Sequence, residues 1–316
     1  MMLMKSVEMN GYGNSEVIQV NQNATAPNVP STGSVLVKVA AAGINPFDWK
    51  IREGYMQQMI PLKFPTTPGG DFSGVVEKVG DQVSGVQEGD EVYGQASVLS
   101  GGSGAFAERA LANADTIAYK PKSLNNKEAA GLPVVGVSAW QALVEDIGLQ
   151  NGQKVLIHGG AGGIGSIAIQ LAKSLGAHVA TTVRANDMQY ANELGADETI
   201  DYQTQNFDQL LHDYDAVYDT VGGETYARSF KVLKKGGIIV SMLEQPNQEL
   251  MNQFGVRAVL RMVQVNRERL TKLAQWVDQN NIRVNVDRTF LLEEAGKALD
   301  YQKEEHPRGK VVLEVQ

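Results

Sequence analysis

Hydrophobic positions change their rhythm about a third of the way along this chain. In the first part, apolar residues come in short Val-rich runs set off by Gly and Asp: SVLVKVAAAGI (34–44), DFSGVVEKVG (71–80) and GDEVYGQ (89–95). Such runs between turn residues predict strands. VGDQVSGVQEGDEV reads as strand, turn, strand, and 104–121 adds further strand-like pieces. A compact, mostly β domain is expected. Residues 126–149 are helical in composition, with an interruption where Gly and Pro fall at 131–133.

From Lys154 onward the pattern alternates. Strands are predicted at 154–159, 178–183, 198–202, 216–221 and 237–242, with helices at 164–176, 186–195, 206–214 and 224–233 between them. This alternation implies an α/β domain with a parallel sheet and helices on both faces. A further helix is predicted over 267–280. A tail follows, helix (290–304) then strand (309–315), that can rejoin the first domain. The chain shows no internal repeat.

Composition narrows the function classes. A chain of 316 residues suits two domains of roughly 100–200 residues each. The net charge of −8 and the lack of a Lys/Arg cluster argue against a nucleic-acid partner. No apolar run reaches the roughly 18 residues of a membrane span, so none is expected. The N-terminus lacks the long apolar core of a signal peptide. The expected location is the cytoplasm, with which a cysteine-free composition is compatible. Without cysteine there are no disulfides, thiol nucleophiles or thiolate metal sites. His158, His178, His212 and His306 have no metal-site spacing, so no metal is expected.

The candidate chemistry begins in HGGAGGIGSIAIQLAKSLGAHVATTVR (158–184). Gly160, Gly162 and Gly165 form a GxGxxG, which alone is weak, because turns and tight packing also use glycine. Here the context supports it. A strand precedes, and a helix begins at the third glycine. Ile164, Ile167, Ala168, Leu171 and Leu175 lie along one face of that helix, Gly176 can cap it, and a strand follows. In such a βαβ unit the first glycine permits the tight turn, the second admits a pyrophosphate, and the third lets helix and strand pack closely. The candidate cofactor stretch is Gly160, Ala161, Gly162, Gly163, Ile164 and Gly165, at a helix N-terminus that favours phosphate.

NAD-binding sites usually carry Asp or Glu at the end of the second strand. No carboxylate occurs here between Gly165 and Asp187, and Arg184 stands at the strand end. A guanidinium can make forked, charge-assisted bonds to a 2′-phosphate, and Thr181 and Thr182 add hydroxyl donors. The reading is NADP(H). The alternative role for Arg184 is a solvated surface charge. Ser138 does not make a hydrolase nucleophile elbow, because Trp140 stands where GxSxG needs its last glycine.

Several stretches together, AAGINPFDWKIREG (41–54), TPGGDFSGVVEKVG (67–80), GLPVVGVSAWQAL (131–143), GGAGGIG (159–165), LGADETIDY (194–202), YDAVYDTVGGETY (214–226) and HPRGKVVL (306–313), carry a resemblance over nearly the whole chain. It is similar to zinc-independent medium-chain dehydrogenases/reductases of the NADPH:quinone oxidoreductase type. The resemblance implies a Rossmann doubly wound parallel sheet (126–280) inserted into a GroES-like, mostly β substrate domain (1–125 plus 281–316). Zinc-dependent relatives use a Cys in the first motif and a His in a GHE motif. Here the positions read Asn45 and Gly69-Gly70-Asp71, and the structural-zinc cysteines are missing too.

The resemblance also implies site roles. Asn45 would reach toward the nicotinamide ribose and the substrate. Trp49 and Tyr55 would line the acceptor pocket, or else be ordinary core aromatics, while Asp48 would only fix the loop. Ser138 would lie near the nicotinamide phosphate and Tyr202 beside the 2′-phosphate. Asp187 stands where relatives often place Lys. Arg308 and Lys310 would close over the cofactor, or else be surface charges. The implied reaction is metal-free hydride transfer from C4 of NADPH to a quinone or similar unsaturated carbonyl. The alternatives are reduction of an enone or alkenal double bond, or NADPH binding without catalysis. A homodimer through an edge strand of the cofactor sheet is also implied, with VRAVLRMVQV (256–265) as the candidate segment.

Overall fold

The structure, a computed structural model, describes residues 2–28 and 31–316. It divides into two compact units, one running up to Val134 and resuming over Val265–Gln316, the other spanning Val135–Gln264. The first unit opens with an antiparallel pair, β1 (Leu3–Met9) and β2 (Ile18–Thr25). Next come β3 (Ser34–Ile44), α1 (Pro46–Arg52), β4 (Asp71–Val79), β5 (Glu91–Gln95), β6 (Arg109–Asn113), β7 (Ile117–Tyr119) and α2 (Asn126–Ala130). A reciprocal box starts α2: Asn125 accepts from the Glu128 N–H at 3.1 Å, and Glu128 accepts from the Asn125 N–H at 2.9 Å. The predicted interruption is real. α3 (Pro133–Trp140) begins anew with proline at its first position, where no N–H is needed. It runs on into a π-helical turn, Gln141–Asp146.

The second unit continues β8 (Lys154–His158), α4 (Gly163–Ser174), β9 (His178–Val183), α5 (Met188–Glu193), β10 (Glu198–Asp201), α6 (Phe207–Leu210), β11 (Tyr214–Asp219), α7 (Gly223–Ser229), β12 (Leu233–Ser241), α8 (Gln248–Phe254) and β13 (Arg257–Leu260). The strands form one parallel sheet in the order β10-β9-β8-β11-β12-β13. Numbered within the unit, that order is 3-2-1-4-5-6, the doubly wound arrangement whose ligand crevice opens where the order reverses. The reversal lies between β8 and β11, and the glycine corner follows β8. Ile167, Ala168 and Leu171 of the predicted helix face are buried, while Ile164 and Leu175 at its ends are half-exposed.

The chain then returns to the first unit with α9 (Arg267–Asn280), β14 (Val286–Leu291), α10 (Ala295–Glu304) and β15 (Lys310–Glu314). The tail does rejoin the β unit: β15 pairs antiparallel with β3. The resulting sheet runs β14-β15-β3-β4-β5-β7, with β6 also on β3. Its core includes Val35, Val37, Val39, Phe72, Val92, Phe106 and Leu313. The unit boundaries differ from 125/126 and 280/281, because α2 and α9 belong with the β unit. The Tyr93 hydroxyl donates to the Leu270 carbonyl at 2.7 Å, and Asp278 accepts from the Ser123 N–H at 2.9 Å. These bonds hold α9 on the β unit.

Candidate active site

The glycine corner is built by sterics that can be read glycine by glycine. Gly159, outside the GxGxxG, is the one with left-handed backbone, at φ +70°. Gly160 is needed for close approach instead: a Cβ there would lie 2.1 Å from Thr181 Oγ1. A Cβ on Gly165 would lie 2.2 Å from the Gly159 carbonyl oxygen, so the third glycine lets helix and turn touch, as expected. Gly162 differs from both. A Cβ there would meet only the Gly159 oxygen, at 3.4 Å, and would otherwise project into open space. α4 starts at Gly163, one residue before the predicted span of 164–176, with Gly162 as its N-cap. The N–H groups of Gly163, Ile164 and Gly165 therefore lie in its first turn, where none has an intrahelical acceptor. Half-exposed Ala161 and Gly162 border the same opening. The open space over Gly162 and the helix N-terminus together fit the diphosphate of a dinucleotide.

The hydroxyls of β9 turn the other way. Thr181 donates to the Ile157 carbonyl at 2.7 Å and is fully buried. Thr182 lies 3.0 Å from His158 Nδ1 and accepts from the Gly159 N–H at 3.3 Å. The Ser229 hydroxyl donates to the Thr225 carbonyl at 2.7 Å, so it accepts from His158 Nε2–H at 2.8 Å. His158 is thus the neutral Nε2–H tautomer, and Thr182 donates to its Nδ1. Burial pushes its pKa down to about 4. Thr182 was expected to touch cofactor. It instead ties the glycine corner to β9 and His158, a role a strand-end threonine does not advertise in sequence.

At the outer end of β9, Arg184 is 35 % exposed, and its Nε lies 3.1 Å from Asp187 Oδ2. Asp187 is buried, so this departure from the family pattern turns its carboxylate onto Arg184 rather than outward. The next strand aligns Asp201 with Val183, and Tyr202 follows it, 54 % exposed. Arg184 and Tyr202 therefore stand side by side at the carboxyl ends of adjacent strands. Ser138 lies in α3, fully buried, and its hydroxyl has no hydrogen-bond partner among the described residues. The same holds for Gln141 Nε2 and the Tyr218 hydroxyl. A π-helical turn beside such groups is a frequent companion of functional sites.

In the other unit, Asn45 is the N-cap of α1 and is 4 % exposed. Its Nδ2 donates to Asp71 Oδ2 at 2.9 Å, and its Oδ1 accepts from Lys310 Nζ at 2.5 Å. Asp48 accepts from the Asn45 backbone N–H at 2.7 Å, which fixes the loop as expected. Burial raises the Asp48 pKa to about 7, and burial likewise raises Asp71 and lowers Lys310. The Lys310 ammonium also donates to the Ile44 carbonyl at 2.6 Å. That is a correction: Lys310 is neither open to a cofactor nor a surface charge. Arg308 is half-buried, and its backbone holds the turn before β15, donating to Asp287 at 3.2 Å. Trp49 packs on the core of its unit, edge-on to Tyr55 at 5.8 Å between ring centroids. Tyr55 itself is 67 % exposed and offers both ring and hydroxyl.

Known proteins resemble this chain in sequence and fold. A family model described as an alcohol dehydrogenase GroES-like domain matches residues 31–122, and one described as a zinc-binding dehydrogenase matches 194–313. Over 98 % of its length the chain is 37 % identical to the 2-methylene-furan-3-one reductase of Solanum lycopersicum, covering 79 % of that protein. The chain belongs to the medium-chain dehydrogenase/reductase family. Another member, the chloroplastic NADPH-dependent alkenal/one oxidoreductase of Arabidopsis thaliana, is 35 % identical over 98 % of the chain and 79 % of its own length. The solved quinone oxidoreductase from Coxiella burnetii is 34 % identical, with a TM-score of 0.89 and full coverage of both chains. One matched model is named for zinc, yet this member puts Asn45 where zinc-dependent relatives have Cys. Among the described residues no three His, Cys, Asp or Glu converge as a metal site.

Proposed function

We propose that this chain is an NADPH-dependent oxidoreductase that passes a hydride, without metal, to a quinone or similar unsaturated carbonyl. The observation that carries the reading is the diphosphate cradle at Gly162, joined to Arg184 and Tyr202 at the neighbouring strand ends. Bound NADPH would supply the hydride from its nicotinamide C4. The N–H groups of Gly163, Ile164 and Gly165 would bind the diphosphate. Arg184, held by Asp187, would grip the 2′-phosphate against Tyr202, and Ser138 would spend its free hydroxyl on the nicotinamide end. Asn45 and Tyr55 would hydrogen-bond the acceptor oxygen, whose charge grows as the hydride arrives. The Tyr55 ring gives a flat acceptor a surface on which to stack. A C–H or O–H bond forms on the acceptor, the displaced π pair moves to oxygen, and water supplies the proton.

Reduction of an enone or alkenal double bond is the second reading. It is favoured by the names of the 37 % and 35 % identical relatives, both of which refer to such substrates. NADPH oxidation against a panel of quinones and small enones separates the two by which set is turned over. Tight NADPH binding with no turnover of either set would leave a binding protein and overturn both. We also propose a homodimer through β13, an edge strand of the cofactor sheet that lies within the 256–265 segment.

A further inference from the structure

Lysines almost never give up contact with water. Lys310 does, at 3 % exposure. Its stem lies against Gly131, where a Cβ would come within 3.2 Å of Lys310 Cγ. Its ammonium is directed by two acceptors, the Ile44 carbonyl and Asn45 Oδ1. On the far side of the same amide stands Asp71, itself held by Gln95 Nε2 at 3.1 Å and the Val134 N–H at 3.0 Å. A carboxamide can turn about its last torsion and exchange oxygen for nitrogen. Here the exchange would set N–H against ammonium and carbonyl oxygen against carboxylate, converting two attractions into two repulsions. A cation on one side and an anion on the other therefore admit one orientation. In it, one Nδ2–H goes to Asp71, and the second has no acceptor among the described residues.

We propose that Lys310 is a positioning residue that locks the Asn45 amide, so that its remaining Nδ2–H is presented to the carbonyl oxygen of the hydride acceptor. The inference rests on the reading of Asn45 as a group that meets the acceptor. Lys310 touches no reacting atom. A pre-oriented donor stabilises charge as it develops on oxygen without reorganising at that moment. An amide free to turn would present its own oxygen part of the time and repel that charge.

The test is a double-mutant cycle over Lys310→Met and Asn45→Ala, with NADPH and whichever acceptor the wild type reduces. Lys310→Met should lower kcat by about tenfold or more, the cost of a misplaced group, while leaving KM for NADPH within about twofold. In the Asn45→Ala background the same change should cost less than about threefold. Losses that simply multiply would overturn the proposal. Removing one of two opposite buried charges can unfold a protein. If Lys310→Met does not fold, Lys310→Met/Asp71→Asn, neutral at both positions, replaces it in the cycle. NMR of the ligand-free protein gives a readout besides activity. The Asn45 carboxamide protons should exchange with solvent at least about tenfold faster once Lys310 is replaced, and unchanged protection would overturn the lock. A wild type that reduces no acceptor would overturn the functional reading instead, leaving exchange to judge the lock.

Discussion

Arg184 and Gly162 each isolate one part of the proposed site. If Arg184 grips the 2′-phosphate, Arg184→Ala should weaken NADPH binding by about 1.5–3 kcal/mol, the range for hydrogen bonds to charged groups. That is roughly 10- to 150-fold at 1.4 kcal/mol per decade. NADH has no 2′-phosphate, so its binding should scarcely change, and the selectivity ratio measured by fluorescence titration is the test. Equal losses for both cofactors would mean that Arg184 serves the fold through Asp187. Gly162 probes the diphosphate. Its neighbours leave room for a methyl group and its φ of −77° suits any residue. Gly162→Ala should therefore keep the wild-type melting temperature but lose dinucleotide binding by about tenfold or more, because the methyl occupies the ligand's place. Gly160→Ala and Gly165→Ala should do the reverse first. Each would press a Cβ onto an oxygen at 2.1–2.2 Å, an overpacking that costs about 1–3 kcal/mol of stability.

At the scale of elements, what was legible depended on how much of the signal was local. The βαβ unit from β8 to β9 was readable because each part has a chemical marker: Val155, Leu156 and Ile157 in the strand, the glycines at the turn, Gly176 past the helix end. Elements whose identity or place depends on distant partners lacked such markers. β13 is four residues of mixed character, Arg257–Leu260; the resemblance pointed to an edge strand within 256–265, but the residues' own pattern marks it only when it is laid beside β12. α9 is an ordinary amphipathic helix. Nothing in Arg267–Asn280 says which unit its Leu270–Leu273 stripe will cover, because that is decided by Tyr93 and Ser123, far away in sequence. The site shows the same division. Gly162 was legible from spacing. The inward turn of Thr182 and the burial of Lys310 were not, since each depends on partners from separate strands.

β13 also carries a prediction at this scale. The Arg261 N–H donates inward to Ser241 at 2.8 Å. Strand alternation then sends the N–H groups of Ala258 and Leu260 outward, toward any partner added at the sheet edge. Ala258→Pro removes an outward donor and leaves the β12 pairing intact. Light scattering should find the wild type near twice the 34.2 kDa chain mass and the variant near one chain mass. A variant that still runs as a dimer would mean that another surface joins the subunits.

On the scale of the whole molecule, one buried group in each unit contributes to the pH dependence of stability, and the two contributions have opposite signs. His158 lies in the dinucleotide unit, its pKa pushed down by burial from 6.5 to about 4. The unfolded chain thus binds the extra proton first as pH falls. The stability this histidine contributes is complete above pH 6.5 and is lost as pH drops through about 4. Asp48 lies in the other unit, its pKa raised by burial from 3.8 to about 7. There the folded state keeps the proton longer, so stability is complete below pH 3.8 and is lost as pH rises through about 7. At about 1.4 kcal/mol per pH unit, the full effects over these windows are on the order of 3–5 kcal/mol. The contributions of these two groups oppose each other between pH 4 and 6.5, and the test is to remove each in turn. His158→Gln can still donate to Ser229 and accept from Thr182, and Asp48→Asn can still accept from the Asn45 N–H. Across pH 6.5 to 4.5 in urea unfolding, His158→Gln should gain stability relative to wild type as pH falls, and Asp48→Asn should lose it. Each difference should approach about 1–3 kcal/mol. Parallel profiles for all three proteins would show that neither group titrates differently in the folded and unfolded chain.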